Sequence, residues 1–290
     1  MRFAIFGNLA ASKICGSERD LFALLRSLGS HIAIDSTYLE FLTRTTGWKI
    51  PYDSIISDNN FDADVVISIG GDGTFLRTSV RVGNKNIPMV GINTGRLGFL
   101  ADITIDRMDP AIRRIHEGKY VIFERNLLEI KMEGLPKDHT PFALNDIAFL
   151  KHDISSMISI ETSIGDIPMV TYQADGLIIA TPTGSTAYSL SVGGPIIAPG
   201  TDVISLTPVA PHSLTMRPLV LPADQTIHLD VSSRSHSFLI SIDGNSFSCR
   251  EHTPIAISRA PFTIKVIRPD DNDFFSTLRE KMFWGTDLRK

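Results

Sequence analysis

Short apolar runs alternate with amphipathic stretches along the first 120 residues of the chain. The runs are continuously apolar, which is typical of strands that are buried on both faces of a parallel sheet. Such strands are predicted at residues 2–6, 63–70 and 87–93. Helices are predicted at 17–29, 37–44 and 109–118. Strands that alternate with helices indicate βαβ units, so this part of the chain predicts a parallel sheet with helices on its faces.

The ends of these helices carry recognisable signals. Ser17 and Thr37 are predicted as N-caps because each has an acidic residue three positions later, and Gly29 is predicted to close the first helix. Pro110 is predicted at the first position of the third helix.

The pattern changes after about residue 124. Short apolar runs separated by turn residues continue to about residue 267, which predicts mostly β structure. Helical spacing returns in 270–285, where Phe274, Leu278 and Met282 lie four residues apart. The predicted fold is an N-terminal α/β domain, with a parallel sheet flanked by helices, and a β-rich, sandwich-like C-terminal domain. The predicted bounds are 1–124 plus 269–290 for the first domain and 125–268 for the second.

Composition narrows the function classes. A chain of 290 residues suits two domains, and 43% hydrophobic with 21% charged residues excludes a disordered or collagen-like chain. The net charge of -4, without a block of Lys and Arg, argues against binding to nucleic acid through phosphate contacts. No apolar stretch reaches the roughly 18 residues of a membrane span. Gly7 and Asn8 interrupt the first run too early for a signal peptide.

Two cysteines, Cys15 and Cys249, are too few for a disulfide framework or a four-ligand zinc site. Reduced thiols and the absence of a targeting segment predict a cytoplasmic protein.

The stretch Gly70-Gly71-Asp72-Gly73-Thr74 follows the strand predicted at 63–70 and leads into a helix predicted to begin near Phe75. Ligands of open α/β sheets bind at the carboxyl ends of strands. The three glycines are predicted to present backbone N–H groups to an anion, and the helix N-terminus adds favourable potential for phosphate.

This glycine turn matches neither common nucleotide motif. The phosphate-binding loop of P-loop enzymes needs a lysine that the turn lacks, and Leu76 occupies the third glycine position of the dinucleotide fingerprint. A carboxylate beside bound phosphate is unfavourable unless it holds a cation, orients a hydroxyl or accepts a proton during transfer. The alternative is that Asp72-Gly73 is simply a good turn sequence.

Three further clusters combine polar groups with glycine loops or apolar runs. Residues 91–100 carry Asn93, Arg96 and Phe99, residues 143–150 contain the pair Asn145-Asp146, and residues 174–195 hold hydroxyls and glycines around a predicted helix start at Thr186. Each has a structural alternative. The pair forms a turn, the phenylalanine packs in the core, and the hydroxyls cap a helix.

All four clusters, in this order, resemble the NAD kinase family over nearly the whole chain. The strongest matches are the turn at 70–74 and the segment at 175–195, with Val192 where many members have alanine. The turn alone is shared with diacylglycerol and sphingosine kinases. The resemblance implies transfer of the ATP γ-phosphoryl group to the 2′-hydroxyl of the adenosine ribose of NAD. The product is NADP, and a divalent cation, Mg²⁺ above all, takes part with ATP.

The resemblance also implies site residues. Asp72 is expected to be catalytic, and it orients the acceptor hydroxyl or takes its proton late, because a carboxylate is a weak base toward a sugar. The expected NAD contacts are Gly73, Phe99, Asn145, Asp146, Gln173, Asp175, Thr183, Thr186, Ala187, Tyr188 and His212. The glycine turn itself predicts Gly70 and Gly71 as phosphate contacts. Apart from the resemblance, Arg77 and Arg96 are candidates for contact with the triphosphate, because little else basic lies near the glycine loops.

Four of these residues carry more specific expectations. Asn145 and Asp146 are expected to hold the ribose hydroxyls, although Asp146 is one methylene shorter than the family's glutamate. Gln173 predicts a preference for NAD over NADH. His212 is expected near the site, where a neighbouring subunit supplies it, or else it simply completes a β turn.

Two alternatives remain open. A lipid kinase of the diacylglycerol or sphingosine type shares the glycine turn, but the chain has no clear polybasic or amphipathic segment for docking to a bilayer. A non-catalytic module that senses NAD or NADP would keep the binding residues and dispense with Asp72. The leading prediction is a homodimeric or homotetrameric kinase with NAD and ATP as partners and with neither nucleic acid nor membrane.

Overall fold

The structure is a computed structural model that describes residues 1–9, 16–95, 98–153, 156–268 and 274–285. The chain divides into two compact units. Unit 1 is Met1–Glu124 with Ile264–Lys290, and unit 2 is Arg125–Thr263. Both divisions fall within strands, at β7 (Val121–Met132) and β18 (Ile255–Arg268).

The strands, numbered in chain order, are β1 (Arg2–Gly7), β2 (His31–Asp35), β3 (Ser54–Ile56), β4 (Val65–Ile69), β5 (Met89–Asn93), β6 (Ile103–Thr104), β7 (Val121–Met132), β8 (Phe142–Ala143), β9 (Asp146–Lys151), β10 (Ile158–Ile164), β11 (Ile167–Ala174), β12 (Gly176–Ala180), β13 (Val203–Val209), β14 (Leu219–Pro222), β15 (Ile227–Ser233), β16 (Ser237–Ile242), β17 (Asn245–Arg250) and β18 (Ile255–Arg268). The α-helices are α1 (Ser17–Ser27), α2 (Ser36–Thr46), α3 (Asp72–Val82), α4 (Met108–His116), α5 (Tyr188–Ser191) and α6 (Phe274–Met282). Short 3-10 turns cover Gly83–Lys85, Ile105–Arg107 and Gly184–Thr186.

Unit 1 is built on a parallel sheet in the order β18-β5-β4-β1-β2-β3, with β6 beside β5. Val66 of β4 pairs with Met89 of β5, and Met89 also pairs with Val266 of β18. Because β4 and β5 are adjacent and parallel, the loops that follow them emerge at the same edge of the sheet. These loops contain the glycine turn and residues 94–101.

Helices cover this sheet. The five residues of β4 are all buried, and the core around them includes Phe22 of α1, Tyr38 of α2 and Ile112 of α4. A strand buried on both faces requires a continuous apolar sequence, which explains why the runs in the sequence do not alternate.

Unit 2 contains two antiparallel sheets. One has the order β14-β13-β12-β9-β16-β17, and the other joins β11, β10, β15 and the first part of β18. Both sheets contribute to a single core, in which Phe149 and Phe238 come from the first sheet and Ile160 and Val231 from the second. Two sheets that share a core form a sandwich. The predicted fold class, α/β followed by a β-rich sandwich, is confirmed.

Several predicted helix ends are corrected. The N-cap of α1 is Gly16 rather than Ser17, whose hydroxyl donates to Glu18 instead. The N-cap of α2 is Asp35 rather than Thr37, because the Asp35 carboxylate accepts the Tyr38 N–H. Pro110 is the third residue of α4 rather than the first.

Helix starts near the predicted site also shift. Helix α3 begins at Asp72, three residues before Phe75, so the aspartate belongs to the helix itself. Thr186 ends a 3-10 turn, and the following helix begins at Tyr188. Among the described residues, no helix is both long enough and apolar enough to cross a membrane.

Candidate active site

The glycine turn leads directly from β4 into α3. Gly70 has a φ of +146°, and a Cβ atom at this position would lie 2.5 Å from Oγ1 of Thr74, so the turn requires glycine there. Gly71 is the N-cap, and Asp72 and Gly73 are the first two helical residues. The Gly70 N–H donates to the carbonyl of Ile92 at 2.9 Å and is therefore not turned toward an anion, contrary to the prediction. Thr74 and Phe75 both donate to the Gly71 carbonyl, so the N–H groups of Asp72 and Gly73 are the ones at the start of α3 that suit an anion.

The carboxylate of Asp72 accepts three backbone hydrogen bonds. Oδ2 accepts the N–H of Phe99 at 2.9 Å, while Oδ1 accepts those of Leu100 at 3.0 Å and Ala101 at 3.1 Å. The side chain nevertheless remains 30% exposed. Asp72 therefore fixes the loop after β5 and still presents an oxygen edge to solvent, because a carboxylate has about four acceptor positions and three are used.

A cavity of about 240 Å³ lies beside the same turn in unit 1. Basic and hydroxyl side chains line it, among them Arg77, Arg81, Thr74 and Thr37. Arg81 is paired with Asp35 at 3.0 Å, whereas Arg77 donates only to the Thr74 hydroxyl at 3.2 Å and has no carboxylate partner among the described residues. Arg77 thus offers a guanidinium that suits a phosphate, next to the N-terminus of α3.

The residues that the structure describes do not form a protein metal site. No group of three or more His, Cys, Asp or Glu side chains among them is arranged to hold an ion. Asp72, the carboxylate of the turn, already accepts three N–H groups.

In unit 2, a buried carboxylate organises the Asn145-Asp146 pair. Asp243, at the turn between β16 and β17, accepts the N–H groups of Leu144 at 2.7 Å, Asn145 at 2.8 Å and Asp146 at 3.1 Å. Its backbone has a φ of +47°, a strained conformation that the surrounding contacts must hold in place. Asp243 thereby fixes the backbone from which the Asn145 and Asp146 side chains project.

Asp146 is buried beside this second carboxylate. Burial, and then the charge of Asp243, raise the pKa of the Asp146 carboxyl from 3.8 to about 7. Burial also raises the pKa of the Asp243 carboxyl, but its three N–H donors lower it again and stabilise the anion. Asp243 is therefore the more readily ionised member of the pair, and Asp146 holds the proton more strongly.

The segment 181–188 is tied to the same pair. The Thr181 hydroxyl donates to the carbonyl of Leu144 at 2.6 Å, and the Thr181 N–H donates to that of Asn145 at 2.9 Å. A Cβ atom on Gly184 would lie 2.0 Å from the Asn145 carbonyl oxygen, so only glycine allows this approach. Thr183 is buried and Tyr188 is 40% exposed. The segment that carries the predicted residues is therefore tied to Asn145 at Thr181 and Gly184.

A second group in unit 2 contains Asp175, Gln173 and His212. Asp175 pairs with Lys151 at 2.8 Å. The His212 N–H donates to the Gln173 carbonyl at 2.9 Å, and the Gln173 side-chain amide donates to the Ser159 hydroxyl at 2.8 Å.

The structure brings together Asp72 and Phe99 in unit 1, and Asn145, Asp146 and the 181–188 segment in unit 2. Arg96 lies outside the described residues. Sequence reasoning missed four residues that support these groups: Gly98, Lys151, Thr181 and Asp243. The sequence signal for Gly98 was its place in the glycine-containing loop after a predicted strand. No residue near Asp243 in the sequence indicated which backbone groups it would contact.

Two family models match the chain in succession. The ATP-NAD kinase N-terminal domain matches residues 9–120, and the ATP-NAD kinase C-terminal domain matches residues 144–268. Among curated proteins, an NAD kinase of Bacteroides fragilis is 52% identical over 289 residues, which is 100% of both chains. An NAD kinase of Porphyromonas gingivalis is 41% identical over 288 residues, 99% of each chain.

Solved structures show the same fold. Yeast NADH kinase complexed with NADH superposes with a TM-score of 0.88 at 23% identity, covering 99% of this chain and 89% of the yeast chain. An NAD kinase from Archaeoglobus fulgidus in complex with ATP gives a TM-score of 0.75 at 23% identity, covering 96% and 99%.

Proposed function

The chain belongs to the ATP-NAD kinase family, and from this membership we propose how its own residues phosphorylate NAD with ATP to give NADP. The observation that carries the proposal is the Asp72 carboxylate, which stands at the first position of α3, fixed by three backbone N–H groups and still partly exposed. A carboxylate that only tied the loop to the turn would not need an exposed edge at the N-terminus of a helix, where phosphate groups bind favourably.

In the proposed reaction, the 2′-oxygen of the adenosine ribose attacks the γ-phosphorus of ATP. The bond between that phosphorus and the β,γ-bridging oxygen breaks, and ADP leaves. The proton of the 2′-hydroxyl passes to Asp72 late in a loose transition state. Since the backbone already occupies three of its acceptor positions, Asp72 accepts the hydroxyl on the remaining one, and this fixes the direction of attack.

The donor phosphates are proposed to bind in the cavity beside Arg77. The guanidinium of Arg77 and the N–H groups at the start of α3 supply the positive potential, and Thr74 and Thr37 supply hydroxyls. We propose that Mg²⁺ accompanies ATP. Because the described residues do not form a metal site, no protein-bound ion is assigned a step.

The acceptor is proposed to contact unit 2 through the Asn145-Asp146 pair. The amide of Asn145 and the carboxyl of Asp146 suit the paired hydroxyls of a ribose, and Asp243 holds both backbones. The acceptor is also proposed to contact four residues of the neighbouring segment, Thr183, Thr186, Ala187 and Tyr188. Asp175, Gln173 and His212 are proposed to serve the nicotinamide half.

The direct test is to incubate the purified protein with ATP, Mg²⁺ and NAD and to detect NADP with an NADP-specific dehydrogenase. We expect NADP to accumulate, and no product in the absence of ATP. No NADP with any nucleoside triphosphate would contradict the proposal. Parallel reactions with diacylglycerol or sphingosine, and sedimentation with liposomes, test the lipid-kinase alternative. Tight NAD binding without turnover would favour the sensor.

Cytoplasmic location and a homodimeric or homotetrameric state stay predictions. Cell fractionation tests the first, and light scattering on the eluate of a size-exclusion column tests the second. A monomer with full activity would remove the expected contribution of His212 from a neighbouring subunit.

A further inference from the structure

Lys281, on the C-terminal helix α6, lies beside the carboxylate of Asp72. Its Nζ is 3.7 Å from Oδ2 of Asp72 and 4.2 Å from the centre of the Phe99 ring. Both ends of this ion pair are about equally accessible, at 31% and 30% side-chain exposure. The ammonium group therefore stands at the partly open edge of the residue on which the proposed transfer depends.

The contact with Asp72 does not exhaust the hydrogen-bonding capacity of this lysine. At 3.7 Å, Nζ is too far from Oδ2 for a direct hydrogen bond, and Oδ2 already accepts the Phe99 N–H at 2.9 Å. An ammonium group has three N–H donors, and its interaction with the face of Phe99 is electrostatic and requires none of them. Lys281 is thus positioned by charge, and neither of these two contacts uses its N–H donors.

The ion pair between Lys281 and Asp72 contributes little to the stability of the fold. Ion pairs that are partly exposed to solvent contribute only about 0 to 1 kcal/mol. Helix α6 is instead anchored by its buried face, which includes Leu278 and Thr277.

The chemistry of the glycine turn gives a stronger reason. A triphosphate that approaches Asp72 meets a negative charge, and the turn at 70–74 contains no lysine of the kind that neutralises phosphate in P-loop enzymes. Catalysis of phosphoryl transfer consists mainly of positioning and of stabilising the charge that the transferred group carries. An ammonium group next to the acceptor-orienting carboxylate supplies both the positive charge and a contact that positions the transferred group.

We infer that Lys281 is a further functional residue of the transfer site, where its ammonium group contacts the γ-phosphoryl group of the bound donor and offsets the charge of Asp72. This inference rests on the proposed kinase function. The C-terminal helix α6 is then part of the transfer site. Its lysine neutralises phosphate, as the lysine of the glycine loop does in P-loop enzymes.

The test compares K281M and K281R with a matched control on the same helix, R279M. Arg279 is exposed and donates to the Ser276 hydroxyl, and its loss removes a positive charge from the same helix. The measurements are kcat and KM for ATP and for NAD, together with the melting temperature of each variant.

We expect K281M to lower kcat/KM for ATP by about tenfold or more, to leave the KM for NAD nearly unchanged and to keep the wild-type melting temperature. K281R should recover most of the loss because it restores the charge. R279M should stay within about twofold of wild type. Equal kinetics for K281M and R279M would overturn the inference, as would a loss in K281M that follows a lowered melting temperature and is not recovered in K281R. Failure of the wild-type protein to form NADP would instead overturn the proposed function.

Discussion

Gly98 lies so close to Asp72 that a Cβ atom on the glycine would be 1.9 Å from Oδ1 of the carboxylate. Gly98 is not among the residues with positive φ, so the requirement for glycine at this position is steric. The loop after β5 thus approaches the aspartate closely enough for three of its N–H groups to reach the carboxylate.

Gly98→Ala should therefore displace either the Asp72 side chain or the loop. We expect kcat to fall by about a hundredfold or more, since small displacements of a positioned catalytic group are costly. Gly16→Ala is the matched control, because a Cβ atom on Gly16 meets nothing within 4 Å. A Gly98→Ala enzyme with wild-type kcat would show that the position of Asp72 does not limit turnover.

Asp72→Asn should abolish turnover and also loosen the loop. The amide keeps one acceptor oxygen and places an NH₂ group against backbone N–H donors, so at least one hydrogen bond of the loop is lost. We expect a loss of about 1 to 3 kcal/mol in the free energy of unfolding, as measured by denaturant titration. NAD and ATP binding, measured by calorimetry, should fall much less than kcat. A nearly unchanged kcat would remove Asp72 from the mechanism.

Arg77→Gln should weaken the binding of ATP, the phosphoryl donor, more than the binding of NAD, the acceptor. The substitution removes the guanidinium of Arg77 from the 240 Å³ cavity, and we expect the KM for ATP to rise by about tenfold while the KM for NAD stays the same. Arg77→Lys is the control for charge, because it keeps the positive charge without the planar guanidinium. Its KM for ATP should lie between those of the wild type and Arg77→Gln. Equal rises in both KM values would argue for a structural role of Arg77.

The elements that the sequence predicted best are those whose signal is local and repeated. β4 and the glycine turn could be placed because a buried parallel strand needs a continuous apolar run and a tight turn needs glycine. Helix ends were predicted less well, because a cap depends on which oxygen the fold brings to the first turn. Asp35 rather than Thr37 does so in α2.

The residues that support the site could not be predicted from the sequence, for a related reason. Asp243 is 98 residues from Asn145 along the chain, and it looks like an ordinary turn residue before Gly244. Only the pairing of β16 with β9 brings it to the Asn145 backbone. Likewise, nothing in the sequence distinguishes Lys281 from an ordinary charged residue of an amphipathic helix. Its inferred role in phosphoryl transfer follows from where α6 packs in unit 1.

The raised pKa of Asp146 predicts a specific dependence of stability on pH. The folded state holds a proton that the unfolded chain releases above its ordinary pKa of 3.8, so stability falls as pH rises from about 4 to about 7. Ionising this carboxyl in the folded protein costs roughly 4 kcal/mol above pH 7. Asp146→Asn should therefore raise the melting temperature at pH 8 and change it little at pH 4.

The same variant separates stability from binding. If Asp146 contacts the ribose of NAD, Asp146→Asn should raise the KM for NAD at pH 8 while it stabilises the fold. Asp230→Asn, at an exposed aspartate of β15, is the control for a general change of charge. A melting temperature of Asp146→Asn that follows wild type at both pH values would contradict the buried carboxyl pair.

Gln173 provides the last prediction, which concerns the redox state of the acceptor. Its amide NH₂ donates to the Ser159 hydroxyl at 2.8 Å on an exposed part of β11, and this bond does not use its side-chain oxygen. A fixed carbonyl oxygen favours the positively charged nicotinamide ring of NAD over the neutral ring of NADH, so the wild-type enzyme should prefer NAD. Gln173→Gly should narrow the ratio of kcat/KM for NAD over NADH toward unity. Ser159→Ala should narrow it partly, because it frees the amide to rotate. Equal efficiency of the wild-type enzyme with NAD and NADH would contradict the assignment of Gln173 to the nicotinamide half.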